Sequence, residues 1–237
     1  MVIDVLFSTN YSPQDKLILI ASFAFAAVFA IVFHEAAHAF IAVKNGDLTP
    51  KLAGRLTLNP VAHFDLWGMF MFFIIGFGWA KPVPINPDNF ENKKKGIFTT
   101  AIAGVSTNFI AAFLCFGILN LLLLIPESAV LRSNFGYVLY MLTYYFFYFS
   151  IVINIALIAF NILPIYPLDG FRVVEAFAKP TNGYVKFMRQ YGMFILIGII
   201  LISSFLPAKF DIFSLYFQSV QKLINLIFGS IWGVVFR

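Results

Sequence analysis

Two histidines and a glutamate stand together inside the first long apolar stretch of the chain. His34, Glu35 and His38 form the pattern His-Glu-x-x-His, and no polar side chain occurs between Ser22 and His34. Residues four apart lie on one face of a helix, so both imidazoles can address a single ion. Histidine pairs with this spacing bind zinc, and the neighbouring glutamate acts as general base for hydrolysis. The spacing therefore predicts a catalytic metal site.

The alternative is a purely structural role, in which the histidines bond to neighbouring helices and Glu35 pairs with a lysine. The pattern alone occurs by chance in many chains. Inside a membrane helix, however, each charged group near the bilayer centre costs a few kcal/mol even on the milder insertion scales. Three such side chains without a metal are difficult to account for, so the apolar setting favours a metal site.

Composition places the chain among polytopic membrane proteins. Its 237 residues are 61% hydrophobic and 11% charged, which leaves no room for a separate soluble domain. The long apolar runs predict an all-α fold with about five transmembrane helices. These runs cover about 17–43, 97–125, 136–163, 191–206 and 212–235. The run at 191–206 is short for a complete crossing.

A segment near 64–90 is predicted to enter the membrane and return to the same side as a re-entrant loop or hairpin. Its apolar patch at 66–80 contains glycines and is followed by a series of prolines, which suit a loop better than a helix. If the patch crossed completely, polar residues that follow the 136–163 run would lie across the membrane from the histidines. A returning segment keeps them together.

The positive charge follows the same topology. With a returning segment, 12 of the 16 lysines and arginines collect on the side where the metal-binding helix ends. The positive-inside rule places that side in the cytoplasm. The net charge of +5 is therefore explained by membrane topology, and contact with anionic lipid is a secondary consequence. No nucleic-acid partner is predicted.

A third ligand is expected where the 136–163 run ends. Pro164 and Pro167 cannot continue a helix regularly and leave backbone carbonyls without their usual donors, an arrangement that belongs beside a polar cavity. Asp169 follows, just before Gly170. Two histidines and one carboxylate leave a coordination position open, which is the pattern of catalytic zinc.

Other assignments remain open for this part of the site. Asp169 has an alternative role as a helix cap for the stretch after Gly170. Competing third ligands are His63, Asp65 and Glu175.

Two motifs taken together resemble the site-2 protease family of intramembrane zinc metalloproteases. The first is His34-Glu35-x-x-His38, and the second is Asn161-x-x-Pro164-x-x-Pro167-Leu168-Asp169-Gly170. Residues 58–65 and 78–87 are similar to the connecting region of a compact prokaryotic branch, and Gly104-x-x-x-Asn108 is similar to a further family feature. The resemblance covers about residues 30–180.

The resemblance implies a core of three helices around one zinc ion per chain. His34, His38 and Asp169 would be the ligands and Glu35 the base. Family members cut membrane-spanning segments of other proteins, so the expected partners are a transmembrane protein or peptide substrate and the lipid bilayer of a prokaryotic cell. A regulatory membrane partner is not identified by the sequence.

Two asparagines are further candidates by the same resemblance. Asn161 and Asn108 would lie near the substrate backbone or the oxyanion, while the alternative is that each amide packs against a neighbouring helix. The sequence departs from the family pattern at Leu66, where proline is usual, and at Phe171, where a second glycine is common. These departures concern the path of the loops.

The whole chain, 1–237, is expected to form one integral-membrane metalloprotease domain with its core at about 17–180 and accessory helices at about 190–237. The competing function is a metal-binding membrane scaffold or transporter without catalysis. A transporter has no need of Glu35 beside the ligands and commonly shows internal repeats, which the sequence lacks.

Overall fold

The helices of the computed structural model begin and end close to the apolar runs of the sequence. The structure describes residues 8, 10–68, 70, 78, 80–130, 132–179, 181–207 and 210–235. In these ranges it is all-helical, with one isolated bridge instead of a sheet. The helices are α1 Pro13–Lys44, α2 Thr49–Leu52, α3 Lys93–Leu122, α4 Glu127–Val130, α5 Asn134–Asn161, α6 Asp169–Phe177, α7 Gly183–Phe205 and α8 Ile212–Val235.

Helix α1 carries the histidines and has clear start and stop signals. The side chain of Ser12 accepts a hydrogen bond from the backbone N–H of Asp15, and Pro13 occupies the first turn, where no N–H is needed. Lys44 in the last turn complements the helix dipole. The helix has 32 residues and is therefore about 48 Å long, more than enough to cross a bilayer.

Helices α1, α3 and α5 pack against one another and form the centre of the molecule. Ala26, Ala27 and Ala30 of α1 are buried against Phe149 and Ile153 of α5. Small residues of this kind allow helix backbones to approach closely in membranes. The two histidines therefore lie on a helix that is closely packed against its neighbours.

A second apolar cluster joins α3 and α5 to α8. Cys115 is buried there beside Ala112, Ile155 and Phe228. The single cysteine is thus core filling, as its apolar setting predicts.

Four described helices are long and apolar enough to cross a membrane, which indicates an integral membrane protein. They are Pro13–Lys44, Lys93–Leu122, Asn134–Asn161 and Gly183–Ser203. The fourth is longer than the apolar run at 191–206, because it begins with an amphipathic part capped by the side chain of Asn182. The last helix, α8, has 24 residues and is not among the four.

Within the segment near 64–90, the residues before and after the apolar patch lie side by side. The N–H of Lys81 donates to the carbonyl of His63 over 2.9 Å, and Phe64 and Ala80 form an antiparallel bridge. The residues that flank the apolar patch at 66–80 are therefore paired as in a hairpin. Residues 69, 71–77 and 79, where the predicted re-entrant path would turn, lie outside the described residues.

A buried aspartate fixes the rest of this connection to the end of α1. Asp47 is fully buried, and its carboxylate accepts hydrogen bonds from the N–H of Asn86 at 2.7 Å, the amide of Asn89 at 2.8 Å and the N–H of Thr49 at 3.0 Å. Burial by itself raises the pKa of this carboxyl, but the hydrogen bonds from Thr49, Asn89 and Asn86 outweigh it and hold the pKa below its ordinary value.

Candidate active site

Three ligand atoms from two helices converge on one point. Nε2 of His34 lies 3.0 Å from Nε2 of His38, and Oδ2 of Asp169 lies 3.3 Å from the first and 3.2 Å from the second. The histidines belong to α1, and Asp169 is the first residue of α6. Within the described ranges, these are the only His, Cys, Asp or Glu side chains grouped closely enough to share a metal ion.

Hydrogen bonds behind the site orient both imidazoles. Nδ1 of His34 lies 3.0 Å from Oδ1 of Asn108, and Nδ1 of His38 lies 2.7 Å from the carbonyl oxygen of Thr100. Carbonyl oxygens only accept hydrogen bonds, so each Nδ1 is the protonated nitrogen and each Nε2 presents a lone pair toward Asp169.

This donor set fits a metal ion. Two imidazole lone pairs and a carboxylate oxygen face one another, and Oδ2 of Asp169 is buried without a hydrogen bond within the described structure. Their separations suit one ion held at the usual zinc–nitrogen and zinc–oxygen distances of about 2.0–2.2 Å. Nitrogen and oxygen donors of this kind are typical zinc ligands.

Gly104 of α3 lets the two histidines pack directly against that helix. An added Cβ at this position would collide with Cε1 of His34 and lie 2.5 Å from Nε2 of His38. Asn108, one turn later on the same helix, then reaches Nδ1 of His34. The Gly-x-x-x-Asn pattern is thereby explained as one close approach followed by one hydrogen bond.

The end of α5 and the start of α6 bring Asp169 to the histidines. Gly170 lies against backbone carbonyls at the end of α5. A Cβ added at Gly170 would collide with the carbonyl oxygen of Ile162 and lie 2.5 Å from the carbonyl oxygen of Leu163. The Asp169 side chain makes no capping hydrogen bond, and the cap position is Leu168. The alternative role of Asp169 as a helix cap is therefore wrong, since its carboxylate turns toward the imidazoles.

A cavity of about 210 Å³ opens beside the three ligands. Glu35 lines it and makes no hydrogen bond to any residue of the described chain, so its carboxylate is available to a bound molecule. Asn161 and Arg172 also line the cavity. The general-base candidate and the ligand triad thus face the same space.

One wall of the cavity is an extended segment that precedes the turn at Pro87–Asn89. Pro82, Val83, Ile85 and Pro87 line the cavity, and residues that precede a proline, such as Val83, favour extended backbone. The backbone N–H groups of Val83 and Ile85 make no hydrogen bond within the part of the chain that the structure describes. Pairing partners for a second extended chain are therefore available beside the ligands.

The two candidate asparagines occupy different places. Asn161 lines the cavity, and its amide donates one hydrogen bond to the carbonyl of Leu157 over 3.0 Å. Asn108 is fully buried behind His34 and is not part of the cavity wall. The structure therefore brings Asn161 alone to the position expected of a substrate-binding amide.

The competing ligands are engaged elsewhere. Nε2 of His63 lies 2.8 Å from the carbonyl of Thr57, and Asp65 accepts a hydrogen bond from the N–H of Gly68. Glu175 pairs with two arginines. Thr100 was not predicted as a partner of His38, because its contact is made by a backbone carbonyl, which any residue type provides.

The chain is similar in sequence to known zinc metalloproteases. The chain matches the family model of Peptidase family M50 over residues 22–205, a range that contains all three ligand candidates and Glu35. The chain belongs to Peptidase family M50. It is also 32% identical over 202 residues to "Putative zinc metalloprotease YwhC" of Bacillus subtilis (strain 168), covering 85% of this chain and 90% of that protein. No solved structure matches with significance.

Membership of family M50, the site-2 protease family, confirms the resemblance expected from the two motifs. The chain is accordingly an enzyme of the zinc metalloprotease class with membrane-spanning helices, and peptides are its class of substrate. Phe171, which departs from the family pattern, is fully buried and packs its ring against Tyr166.

Proposed function

We propose that this M50 protein is an intramembrane zinc metalloendopeptidase that hydrolyses peptide bonds in transmembrane segments of membrane proteins. The observation that carries the proposal is the convergence of His34, His38 and Asp169 beside Glu35 in a cavity between membrane-length helices. One zinc ion per chain, held by these three ligands, is part of the proposal.

Depth in the membrane agrees with such a role. His34 lies nine residues before Val43, which is on the order of 13 Å along the helix. That depth is within reach of water from the nearer surface but below the headgroups. The surplus of lysines and arginines on that side supports a cytoplasmic location for the site. The Bacillus subtilis relative supports the membrane of a prokaryotic cell.

Residues of the cavity have separate roles in the proposed hydrolysis. When bound, zinc supplies Lewis acidity that polarises a carbonyl and acidifies water. Glu35 takes the proton of the attacking water and returns it to the leaving amine. Asn161 has amide hydrogen-bonding capacity left for the substrate carbonyl, since only one of its donors is used by Leu157.

The substrate must be extended before it can react, because helical hydrogen bonds otherwise occupy its carbonyls. The wall at Val83 and Ile85 offers backbone groups to such a chain, in the manner of strand addition. Pro82 and Pro84 lack N–H groups, so pairing on this wall uses every second residue.

The proposed organisation is one domain over 1–237. A three-helix core of α1, α3 and α5 holds the site, with α7 and α8 as accessory helices. A hairpin near 64–90 returns to the cytoplasmic side, and α8 is a fifth crossing. The paired ends of the hairpin support the returning path.

Cleavage of a model transmembrane substrate by purified protein tests the proposal. Wild-type protein is expected to cut within the apolar segment, as located by mass spectrometry of the products. Glu35→Gln removes the base and is expected to abolish cleavage, whereas the matched control Glu91→Gln, at an exposed position, keeps it. A protein that binds zinc but cuts none of several such substrates would instead be a catalytically silent scaffold or transporter.

A further inference from the structure

A second cavity, of about 370 Å³, adjoins the catalytic cavity between α6, α7 and the turn at Pro87–Asn89. Pro87, Ile97 and Arg172 line both cavities, so the two spaces share a wall. The second cavity, which we call the basic pocket, therefore lies directly beside the catalytic one.

The basic pocket has a surplus of positive charge. Its lining contains four cationic residues and two acidic ones, which leaves two positive charges unbalanced. The cationic residues are Lys93, Arg172, Lys179 and Arg189, and the acidic ones are Asp88 and Glu175.

The ion pairs of the pocket do not remove this surplus. One carboxylate, that of Glu175, serves two guanidinium groups: Nη1 of Arg172 at 3.2 Å and Nε of Arg189 at 2.9 Å. Lys93 pairs with Asp88. Lys179 is exposed and forms no ion pair within the described ranges. An added carboxylate would therefore meet incompletely neutralised cations.

Distance along α6 links the pocket to the reacting bond. Arg172 follows Asp169 by three residues, so the two lie on the same side of the helix about 5 Å apart along its axis. An extended peptide advances about 3.3 Å per residue. Because the pocket continues beyond Arg172 to Lys179, side chains a few residues from the scissile bond would reach it.

We propose that the basic pocket is a specificity subsite that selects substrates with aspartate or glutamate a few residues from the scissile bond. The inference rests on the proposed proteolytic function. An anionic lipid headgroup offers similar chemistry, but the wall shared with the catalytic cavity favours the substrate as the occupant. Acidic residues beside an apolar segment are thus expected to mark good substrates.

The test compares model transmembrane substrates with one glutamate placed at each position from one to five residues on either side of the scissile bond, and matched glutamine substrates. Wild-type protein is expected to favour glutamate at one or two adjacent positions by about two- to fivefold in kcat/KM, the range of a solvent-exposed charge pair. Lys179→Glu leaves three cationic and three acidic residues in the lining, so it is expected to abolish this preference. Lys95→Glu, an exposed change of equal charge outside the pocket, is expected to keep the preference.

Affinities of the same substrates for Glu35→Gln protein measure the charge preference without cleavage. Failure of the proteolytic function can therefore be distinguished from failure of the subsite. Equal binding and cleavage of glutamate and glutamine substrates would overturn the subsite, even if both are cut. An equal effect of Lys95→Glu would assign the preference to general surface potential and overturn it too. Lys179→Glu could instead reduce cleavage of glutamate and glutamine substrates equally, and only in vesicles that contain phosphatidylglycerol. That result would identify the pocket as a lipid site and overturn the proposal.

Discussion

At the scale of single residues, the site depends on which atoms of each imidazole are already engaged. Oδ1 of Asn108 and the carbonyl oxygen of Thr100 accept hydrogen bonds from the Nδ1–H groups, which leaves the Nε2 lone pairs for a metal. Sequence spacing could predict the two histidines, Glu35 and the aspartate, because these residue types have few other roles in an apolar setting. The position of Asn108 behind His34 required the packing of α1 against α3, which spacing does not specify.

Replacing Asn108 with alanine removes the acceptor that orients His34. Zinc affinity is expected to fall by about 10- to 100-fold, as is usual when the partner of a metal-bound histidine is lost. Competition with a fluorescent zinc chelator measures this. The control is Asn120→Ala on the same helix, whose amide donates to the carbonyl of Phe116 and which lies about 18 Å beyond Asn108 along the helix axis. Equal affinities for wild type and Asn108→Ala would contradict the orienting role.

Replacing Gly104 with alanine tests the close approach of the histidines to α3. The added methyl group would overlap both imidazoles, so zinc content and cleavage are expected to be lost together. Gly198→Ala is the matched control, because nothing lies within 4 Å of its added Cβ. Retention of full zinc content by Gly104→Ala would show that this approach is not required.

At the scale of elements, the connection between α1 and α3 holds the wall of the cavity in place. Asp47, at the end of α1, accepts hydrogen bonds from both sides of the Pro87–Asn89 turn, next to the extended segment of Val83 and Ile85. Sequence patterns predicted a returning segment here but not this anchor, because a carboxylate that accepts backbone N–H groups resembles any exposed loop aspartate in the sequence.

The Asp47 anchor makes stability depend on pH. The pKa of this carboxyl is lowered in the folded protein. Its contribution to the free energy of unfolding is therefore fully present above the ordinary aspartate pKa of about 3.9. That contribution is lost as the pH falls from there through the pKa of the folded state. In thermal unfolding from pH 3 to 7 with chelator present, Asp47→Asn is expected to unfold at a lower temperature than wild type at pH 7. The difference is expected to narrow toward pH 3.

Asp88→Asn provides the comparison for this measurement, since Asp88 is exposed in the same turn. Its unfolding temperature is expected to follow that of wild type. A difference between Asp47→Asn and wild type that is constant over the whole pH range would rule out the carboxylate as its source.

At the scale of the whole molecule, hydropathy predicted the class of fold and most helix positions. It missed the start of α7, since polar residues such as Lys186 and Arg189 continue that helix beyond its apolar part. The meeting of α1 with α6, more than a hundred residues apart in the chain, followed from the two motifs taken together. The basic pocket was not predicted, because its charged residues lie on α3, α6, α7, the turn at Pro87–Asn89 and, for Lys179, just after α6. Only the tertiary fold brings these parts together.

The proposed orientation predicts opposite labelling at the two ends of α3. Lys95→Cys is expected to react with a membrane-impermeant maleimide only from the cytoplasmic side. Leu124→Cys, 67% exposed just after the same helix, is expected to react only from the other side. Cys115 is buried and contributes little background. Labelling of both positions from one side would contradict a complete crossing by α3, and exchanged sides would reverse the orientation.

The central claim is that His34, His38 and Asp169 together hold the catalytic metal, and zinc content measured alongside cleavage tests it most directly. Wild-type protein and Glu35→Gln are expected to bind about one zinc per chain, with cleavage in the wild type only. Asp169→Ala is expected to lose both zinc and cleavage. Full zinc content in Asp169→Ala, or cleavage by Glu35→Gln at the wild-type rate, would contradict the account.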